Sequence, residues 1–207
     1  MSDPQNIDAG RIRGLVFDAY GTLMRGQPQG RILYWHRSLD RQQKRTVRKA
    51  RMRGELSDAQ LLQIGEADTA PTPEQFRAME HERLQTNRLY DDVAPVLDEL
   101  LRRGYPMAIL SNAPAVDGPV IAGLVAPWTT AVLVSAALGV TKPDPAAFRA
   151  AGEALGLPPQ SLLMVGDGAR SDVRGARNAG LQAVQIDRRG EPPRGLTTLR
   201  PLLDLLP

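Results

Sequence analysis

Five short apolar runs punctuate this chain, and each is too short to be a helix. They are Ile12 to Phe17, "MAIL" (Met107 to Leu110), "AVLV" (Ala131 to Val134), "SLLMV" (Ser161 to Val165) and "QAVQI" (Gln182 to Ile186). Runs of four to six apolar residues read as buried strands. Between and after them lie stretches with helical spacing: Val93 to Arg103, Pro119 to Val125, Pro145 to Leu155, Asp172 to Asn178 and Leu199 to Leu206. Gly104, Gly156 and Gly180 follow three of these and read as helix stops. Strands alternating with helices predict an α/β fold, a parallel sheet sandwiched by helices.

One segment breaks the alternation. From about Gly26 to Asn87 the apolar positions are sparse and spaced three or four apart: Leu33, Trp35, Leu39 and Val47, then Leu61, Leu62, Phe76, Met79 and Leu84. This predicts a small helical cap over residues 26–87, inserted after the first strand, with residues 1–25 and 88–207 forming the catalytic core. Pro71 and Pro73 divide the cap, with Thr69 or Thr72 as the N-cap of a following helix. The chain has no internal repeat.

With 207 residues, 42% apolar and 24% charged, the chain has the balance of a globular protein. It has no cysteine, which excludes disulfides, zinc-thiolate sites and a cysteine nucleophile. The N-terminus, "MSDPQNIDAGR", is polar and lacks the apolar core of a signal peptide. No run is long enough to span a bilayer. The expectation is a cytoplasmic protein with no membrane partner.

In parallel α/β sheets ligands bind beyond the C-terminal ends of the strands. Polar residues gather at those ends here. The first strand delivers Asp18 and Tyr20, with Gly21 allowing a tight turn. The second ends in Ser111 and Asn112, and the fourth runs into "GDG" with Asp167, followed by Asp172. Lys142, in "TKPDP", follows the third strand; Asp144 there reads as an N-cap before Pro145. Three carboxylates in one crevice repel unless a cation neutralises them, and all-oxygen ligands suit Mg²⁺. A magnesium ion and Lys142 would bind the non-bridging oxygens of a phosphate, with Ser111 adding a hydroxyl donor. A carboxylate can attack phosphorus, and Asp18 at the strand tip is the nucleophile expected.

"FDAYGTL", "LSNAP", "TKPDPAAF" and "VGDGARSDVRGARNAG" resemble the four motifs of the haloacid dehalogenase-like hydrolase superfamily, in order, from Arg13 to about Ile186. The resemblance implies a Rossmann-like core and a nucleophilic aspartate at Asp18. It implies phosphate-binding residues at Ser111 and Lys142, and magnesium carboxylates at Asp167 and Asp172 with the carbonyl of Tyr20 as a further ligand. Gly21 and Asn112 are expected at the substrate, with Asn112 either binding it or organising the loop. The side chain of Tyr20 departs from the phosphatase pattern, which usually has a second aspartate there as general acid. A phenol with pKa near 10 is a poor substitute, and losing a general acid typically costs roughly 10²- to 10⁴-fold. Tyrosine resembles the 2-haloacid dehalogenases, whose halide product needs no proton. The fourth motif, "GDGARSD", is of phosphatase type. The leading expectation is therefore a magnesium-dependent phosphohydrolase acting on a small phosphorylated metabolite. The alternatives are a metal-independent 2-haloacid dehalogenase and a catalytically weak binding protein of the same fold. Tyr20 itself would pack against the cap or touch an apolar part of the substrate.

One basic segment, Arg37 to Arg53, remains. On a helix Arg37, Arg41, Arg45, Lys49 and Arg53 fall four apart and form a positive stripe. The stripe is read as a solvated surface, as a wall attracting an anionic substrate, or as a nucleic-acid contact. No aromatic residues interleave it, and the formal net charge is only +3, so a nucleic-acid partner is not expected. A nucleotide cofactor is not expected either, since no GxxxxGK or GxGxxG follows the first strand. His36 and His81 lack ligand spacing and read as surface or packing residues. The chain is expected as a monomer or homodimer.

Overall fold

The computed structural model describes residues 7–26, 39–64, 70–188 and 195–207. Five strands form one parallel sheet: β1 (Gly14–Phe17), β4 (Met107–Ser111), β5 (Ala131–Val134), β6 (Leu162–Gly166) and β7 (Gln182–Gln185), in the order β5-β4-β1-β6-β7. These are the five apolar runs, with ends that differ by at most two residues: β1 and β7 are shorter, β4 is one residue longer, β5 is unchanged and β6 is shifted by one. Ile12 lies outside β1 because a 3₁₀ turn over Ala9–Arg11 precedes it.

Alternation along the strands builds two cores. Leu15, Phe17, Leu163 and Val165 face one side and pack with α4 (Val93–Arg102), α5 (Gly118–Val125) and α9 (Leu202–Leu205). Val16, Leu162 and Met164 face the other and pack with α7 (Pro145–Leu155) and α8 (Gly175–Asn178). The helices therefore sandwich the sheet, as the strand–helix alternation predicts. β1 is central, with β4 at its one edge and β6 at the other. The chain winds outward from it in both directions, which opens the sheet at the C-terminal tips of β1, β4 and β6.

Two helical expectations are corrected. The stretch from Asp172 to Asn178 is not one α-helix: Ala169–Arg174 forms a π-helical turn before α8. Both Asp172 N–H (2.8 Å) and Val173 N–H (3.2 Å) donate to the Gly168 carbonyl, which widens that turn. The C-terminal helix spans only Leu202–Leu205 rather than Leu199 to Leu206. Pro201 stands at its start, and a proline disfavours helical backbone in the residue before it. Leu199, Leu202 and Leu206 are still buried, so the segment docks as expected.

The cap contains α1 (Arg41–Met52), α2 (Asp58–Leu62) and α3 (Pro73–Gln85). Leu61 and Phe76 form its small core with Val47, Leu62, Ala70 and Met79. Thr72 caps α3 through a capping box with Gln75, as the sequence predicts for this position. Leu33, Trp35, His36, Arg37 and Thr69 lie outside the described residues. An antiparallel ribbon absent from the sequence reading joins the points where the cap leaves and rejoins the core: β2 (Met24–Arg25) pairs with β3 (Arg88–Leu89). Among the described residues no helix is long and apolar enough to cross a membrane.

Candidate active site

The site begins at the tip of β1. Asp18 follows the last strand residue, and its N–H donates to the Val165 carbonyl of β6 at 2.9 Å. The carboxylate is thus fixed by the sheet, and only 8% of the residue is exposed. Lys142 reaches it from the loop that follows α6 (Ser135–Leu138), the short helix after β5. Its Nζ lies 2.7 Å from Asp18 Oδ1 and 2.8 Å from Asp172 Oδ1. Asn112 positions this lysine through its main chain. Asn112 Nδ2 donates to the Lys142 carbonyl, and Asn112 Oδ1 accepts from the Lys142 N–H, both at 2.8 Å. Of the two roles expected for Asn112, the geometry matches the organiser of the loop. The Lys142–Pro143 bond that follows is cis. Asp144 accepts from Ala146 N–H at 2.9 Å and caps α7, the structural role read for it. Ser111 closes β4 and is buried beside this loop.

The other two carboxylates come from the β6 side. Asp172 is buried, and its Oδ2 accepts the Gly168 N–H at 2.7 Å. Asp167 is exposed at the tip of β6. Asp18, Asp167 and Asp172 bring ligand atoms within 4.8 Å of one another. Gly21 makes this approach possible. Its φ of +79° favours glycine, and a Cβ there would sit 2.4 Å from Asp167 Oδ2.

The electrostatics follow from the crowding. Burial pushes the Asp18 carboxyl up to about 7, with Asp172 and Asp167 adding to the rise and Lys142 opposing it. Burial also works against the charge of Lys142, yet Asp172 and Asp18 outweigh it and hold the ammonium above its ordinary value. One lysine cannot neutralise three carboxylates. An oxygen-only cluster, two of its carboxylates buried, with a deficit of positive charge fits a hard divalent cation.

The motifs, their order along the sheet and this carboxylate cluster converge on one assignment, and the family model for haloacid dehalogenase-like hydrolases matches residues 12–180. The chain belongs to the haloacid dehalogenase-like hydrolases. Among curated proteins it is 41% identical over 116 residues to a phosphoserine phosphatase of Thermus thermophilus, covering 54% of this chain and 47% of that protein. It is 37% identical over 108 residues to (S)-2-haloacid dehalogenase 4A of Burkholderia cepacia, covering 50% of this chain and 46% of that one. These alignments span about half the length of the relatives. A 2-haloacid dehalogenase structure from Pseudomonas syringae superposes with a TM-score of 0.68 at 22% identity, covering 94% of this chain and 97% of that one. That likeness concerns the fold.

Within this hydrolase the side chain of Tyr20 does not serve the carboxylate cluster. Its hydroxyl donates to Asp117 Oδ2 at 2.8 Å and accepts from Asn87 Nδ2 at 3.0 Å. Burial and the neighbouring Asp117 carboxylate push the phenol well above its ordinary value. The sequence offers Tyr20 as a catalytic candidate, as a lid against the cap or as a contact to an apolar part of the substrate; in the structure its hydroxyl meets Asn87 at the end of the cap. Its single proton is directed at Asp117.

Asp117 anchors a buried network that the sequence reading missed. Arg83 of α3 grips the same carboxylate at 2.5 and 3.2 Å, and Glu80 receives Arg83 (3.0 Å) and Arg51 of α1 (3.2 Å). Asp117 precedes "GP" at a helix start, so in the sequence it is indistinguishable from an ordinary cap. Neither Arg51 nor Arg83 stands out in the sequence, because helical spacing alone does not say which face a cap helix buries.

The basic segment also resolves. α1 carries Arg41, Lys44, Arg45, Arg48 and Lys49 along a cleft of about 960 Å³ whose far wall is Asn112, Lys142, Gly168 and Ser171. The i+4 stripe named Arg41, Arg45 and Lys49. It omitted Lys44 and Arg48, which a 3.6-residue period brings to the same face. His81 is exposed beside Gln85, as its lack of ligand spacing suggests.

Proposed function

We propose that this hydrolase is a magnesium-dependent phosphohydrolase that acts on a small phosphorylated metabolite through an aspartyl-phosphate on Asp18. The observation that carries the reading is the convergence of Asp18, Asp167 and Asp172 within 4.8 Å, beside Lys142. Asp18, Asp167 and Asp172 would hold Mg²⁺, with the main-chain carbonyl of Tyr20 as a further ligand. Bound there, the ion supplies positive charge to the cluster and to the non-bridging phosphate oxygens.

The chain's own residues do the rest. Lys142 holds Asp18 Oδ1 and fixes the carboxylate, so Oδ2 attacks phosphorus. The bond from phosphorus to the ester oxygen breaks, and the leaving group departs with its electron pair. The Lys142 ammonium and the Ser111 hydroxyl bind non-bridging oxygens as charge develops. The Gly21 N–H is used within its own turn, donating to the Met24 carbonyl at 3.0 Å. A water then attacks the phosphorus of the acyl phosphate, releasing inorganic phosphate and restoring Asp18. With the Tyr20 proton committed to Asp117, the leaving group takes its proton from solvent. Leaving groups of low pKa, as in aryl and acyl phosphates, are therefore favoured over alkyl ones. Phosphoserine phosphatase and phosphoglycolate phosphatase relatives support the phosphate chemistry.

The commitment of Tyr20 also favours a second reading, a metal-independent 2-haloacid dehalogenase, because a halide leaves unprotonated. The test is release of phosphate from p-nitrophenyl phosphate and acetyl phosphate, with and without Mg²⁺, beside chloride release from 2-chloropropionate. Phosphate release that needs Mg²⁺ and falls at least about 10³-fold in Asp18→Asn supports the aspartyl-phosphate route. Chloride release without Mg²⁺ establishes the dehalogenase. Neither product leaves a binding protein of this fold.

A further inference from the structure

The cleft beside Lys142 holds more positive charge than transfer of one phosphate requires. Arg41, Lys44, Arg45 and Arg48 stand at i, i+3, i+4 and i+7, on one face of α1. Like charges at these spacings repel. Among the described residues none of the four has an acidic side chain within ion-pair distance. The two arginines toward the end of the segment contrast with them: Arg51 pairs with Glu80 and Asp58, and Arg53 with Glu55. Arg170 adds a further cation across the cleft, and among the described residues Asp144, which caps α7, is the one carboxylate on its lining.

This wall is held in place. The Ser135 hydroxyl donates to the Met52 carbonyl at 2.6 Å, tying the end of α1 to the core. Gly54 packs against the Ala136 carbonyl, where a Cβ would come within 2.4 Å. The cationic face is thus fixed opposite Lys142 by contacts that do not involve its charged groups. From Arg41 to Arg48 it runs about 10 Å along the helix axis, enough for two or three side chains to surround one anion.

We propose that α1 forms a second phosphate subsite and that the substrate is an organic bisphosphate. One phosphate lies at Asp18 and Lys142. The other lies against Arg45 and Arg48, with Arg41, Lys44 and Arg170 around it. This rests on the phosphohydrolase reading and adds to it the class of substrate. A dianion held by several cations offsets their mutual repulsion, which a neutral or singly charged tail does less well. Guanidinium groups also match phosphate oxygens bidentately.

The test is calorimetric binding to Asp18→Asn in Mg²⁺, so that no ligand is consumed. The probes are fructose 1,6-bisphosphate, ribose 1,5-bisphosphate and adenosine 3′,5′-bisphosphate, each beside its monophosphates. At least one bisphosphate should bind about tenfold or more tighter than its monophosphates, a gap that rising salt narrows. Arg45→Ala combined with Arg48→Ala should remove that preference, and Arg102→Ala, an exposed arginine on α4, should keep it. Equal binding across every pair, or a preference that survives the double substitution, overturns the proposal. So does a single-stranded oligonucleotide that binds tighter than every bisphosphate and is lost in the double variant, since the cleft is then a nucleic-acid track. Because binding is read without turnover, failure of the subsite is separate from failure of phosphate release on p-nitrophenyl phosphate.

Discussion

Tyr20 sits two residues beyond Asp18, and its position in the motif reads as a catalytic one. Three dimensions give its side chain a different task. The phenol donates to Asp117 and accepts from Asn87, so it joins the loop after β1 to the last turn of the cap. Tyr20→Phe removes both of these hydrogen bonds and leaves Arg83 on Asp117. It should cost about 1–2 kcal/mol of stability and change phosphate release only severalfold, which urea unfolding and steady-state rates would check. A loss of about 10²-fold or more without a matching loss of stability would return the hydroxyl to catalysis. Among the described residues the charges of Asp18 and Lys142 are met within the carboxylate cluster, Lys142 Nζ also lying 2.8 Å from Asp172 Oδ1. They pair with each other at 2.7 Å within the cluster itself.

At the scale of elements, α1 decides what the cap contributes. Its sequence is almost wholly polar, and only Arg51 and Met52 at its end are buried. It has no apolar stripe: among the described residues Val47 alone joins the cap core from its middle, and the Ser135 hydroxyl ties its end to the core. That hydroxyl donates to Met52 and accepts from Ala113 N–H at 3.1 Å. Ser135→Ala strips both buried partners and should cost about 1–3 kcal/mol. It should also loosen α1, seen as faster amide exchange from Arg41 to Met52 than in α4 of the same variant. Unchanged exchange in α1 would show that Arg51 and its carboxylates suffice to hold it. The i+4 stripe was legible in the sequence, and its place on one wall of the cleft was not. A hydrophilic helix carries little signal of which neighbour it faces.

Across the whole molecule, the C-terminal segment is fastened to the core by a buried pair. Arg188 donates to Asp92 Oδ1 and to the Thr22 carbonyl, both at 2.8 Å, and stacks 4.0 Å from the Tyr90 ring centre. Asp92 Oδ2 accepts Leu199 N–H at 2.6 Å. Burial works against the charge of Asp92, but the Leu199 N–H and Arg188 outweigh it and hold the carboxyl below its ordinary value of 3.8. The unfolded chain therefore binds the proton more readily than the folded one, so stability rises with pH through this window. The contribution is complete above about 3.8 and is lost as pH falls through the lower folded value. Asp92→Asn should lower the melting temperature by several degrees at pH 7. Its difference from the unaltered protein should shrink below pH 4, and a constant difference across that range would refute the clamp. Much of the architecture was written locally. Five apolar runs, their glycine stops and the carboxylates at their tips determined a helix-covered parallel sheet and the residues at its open edge, because strand length and alternating burial are properties of neighbouring residues. Tertiary structure alone decided the partner of Tyr20, the Asp117–Arg83–Glu80–Arg51 network, the β2–β3 ribbon and the face of α1. Each depends on groups brought together across tens of residues, and a polar side chain has no periodicity that announces whether water or a distant charge will be its partner.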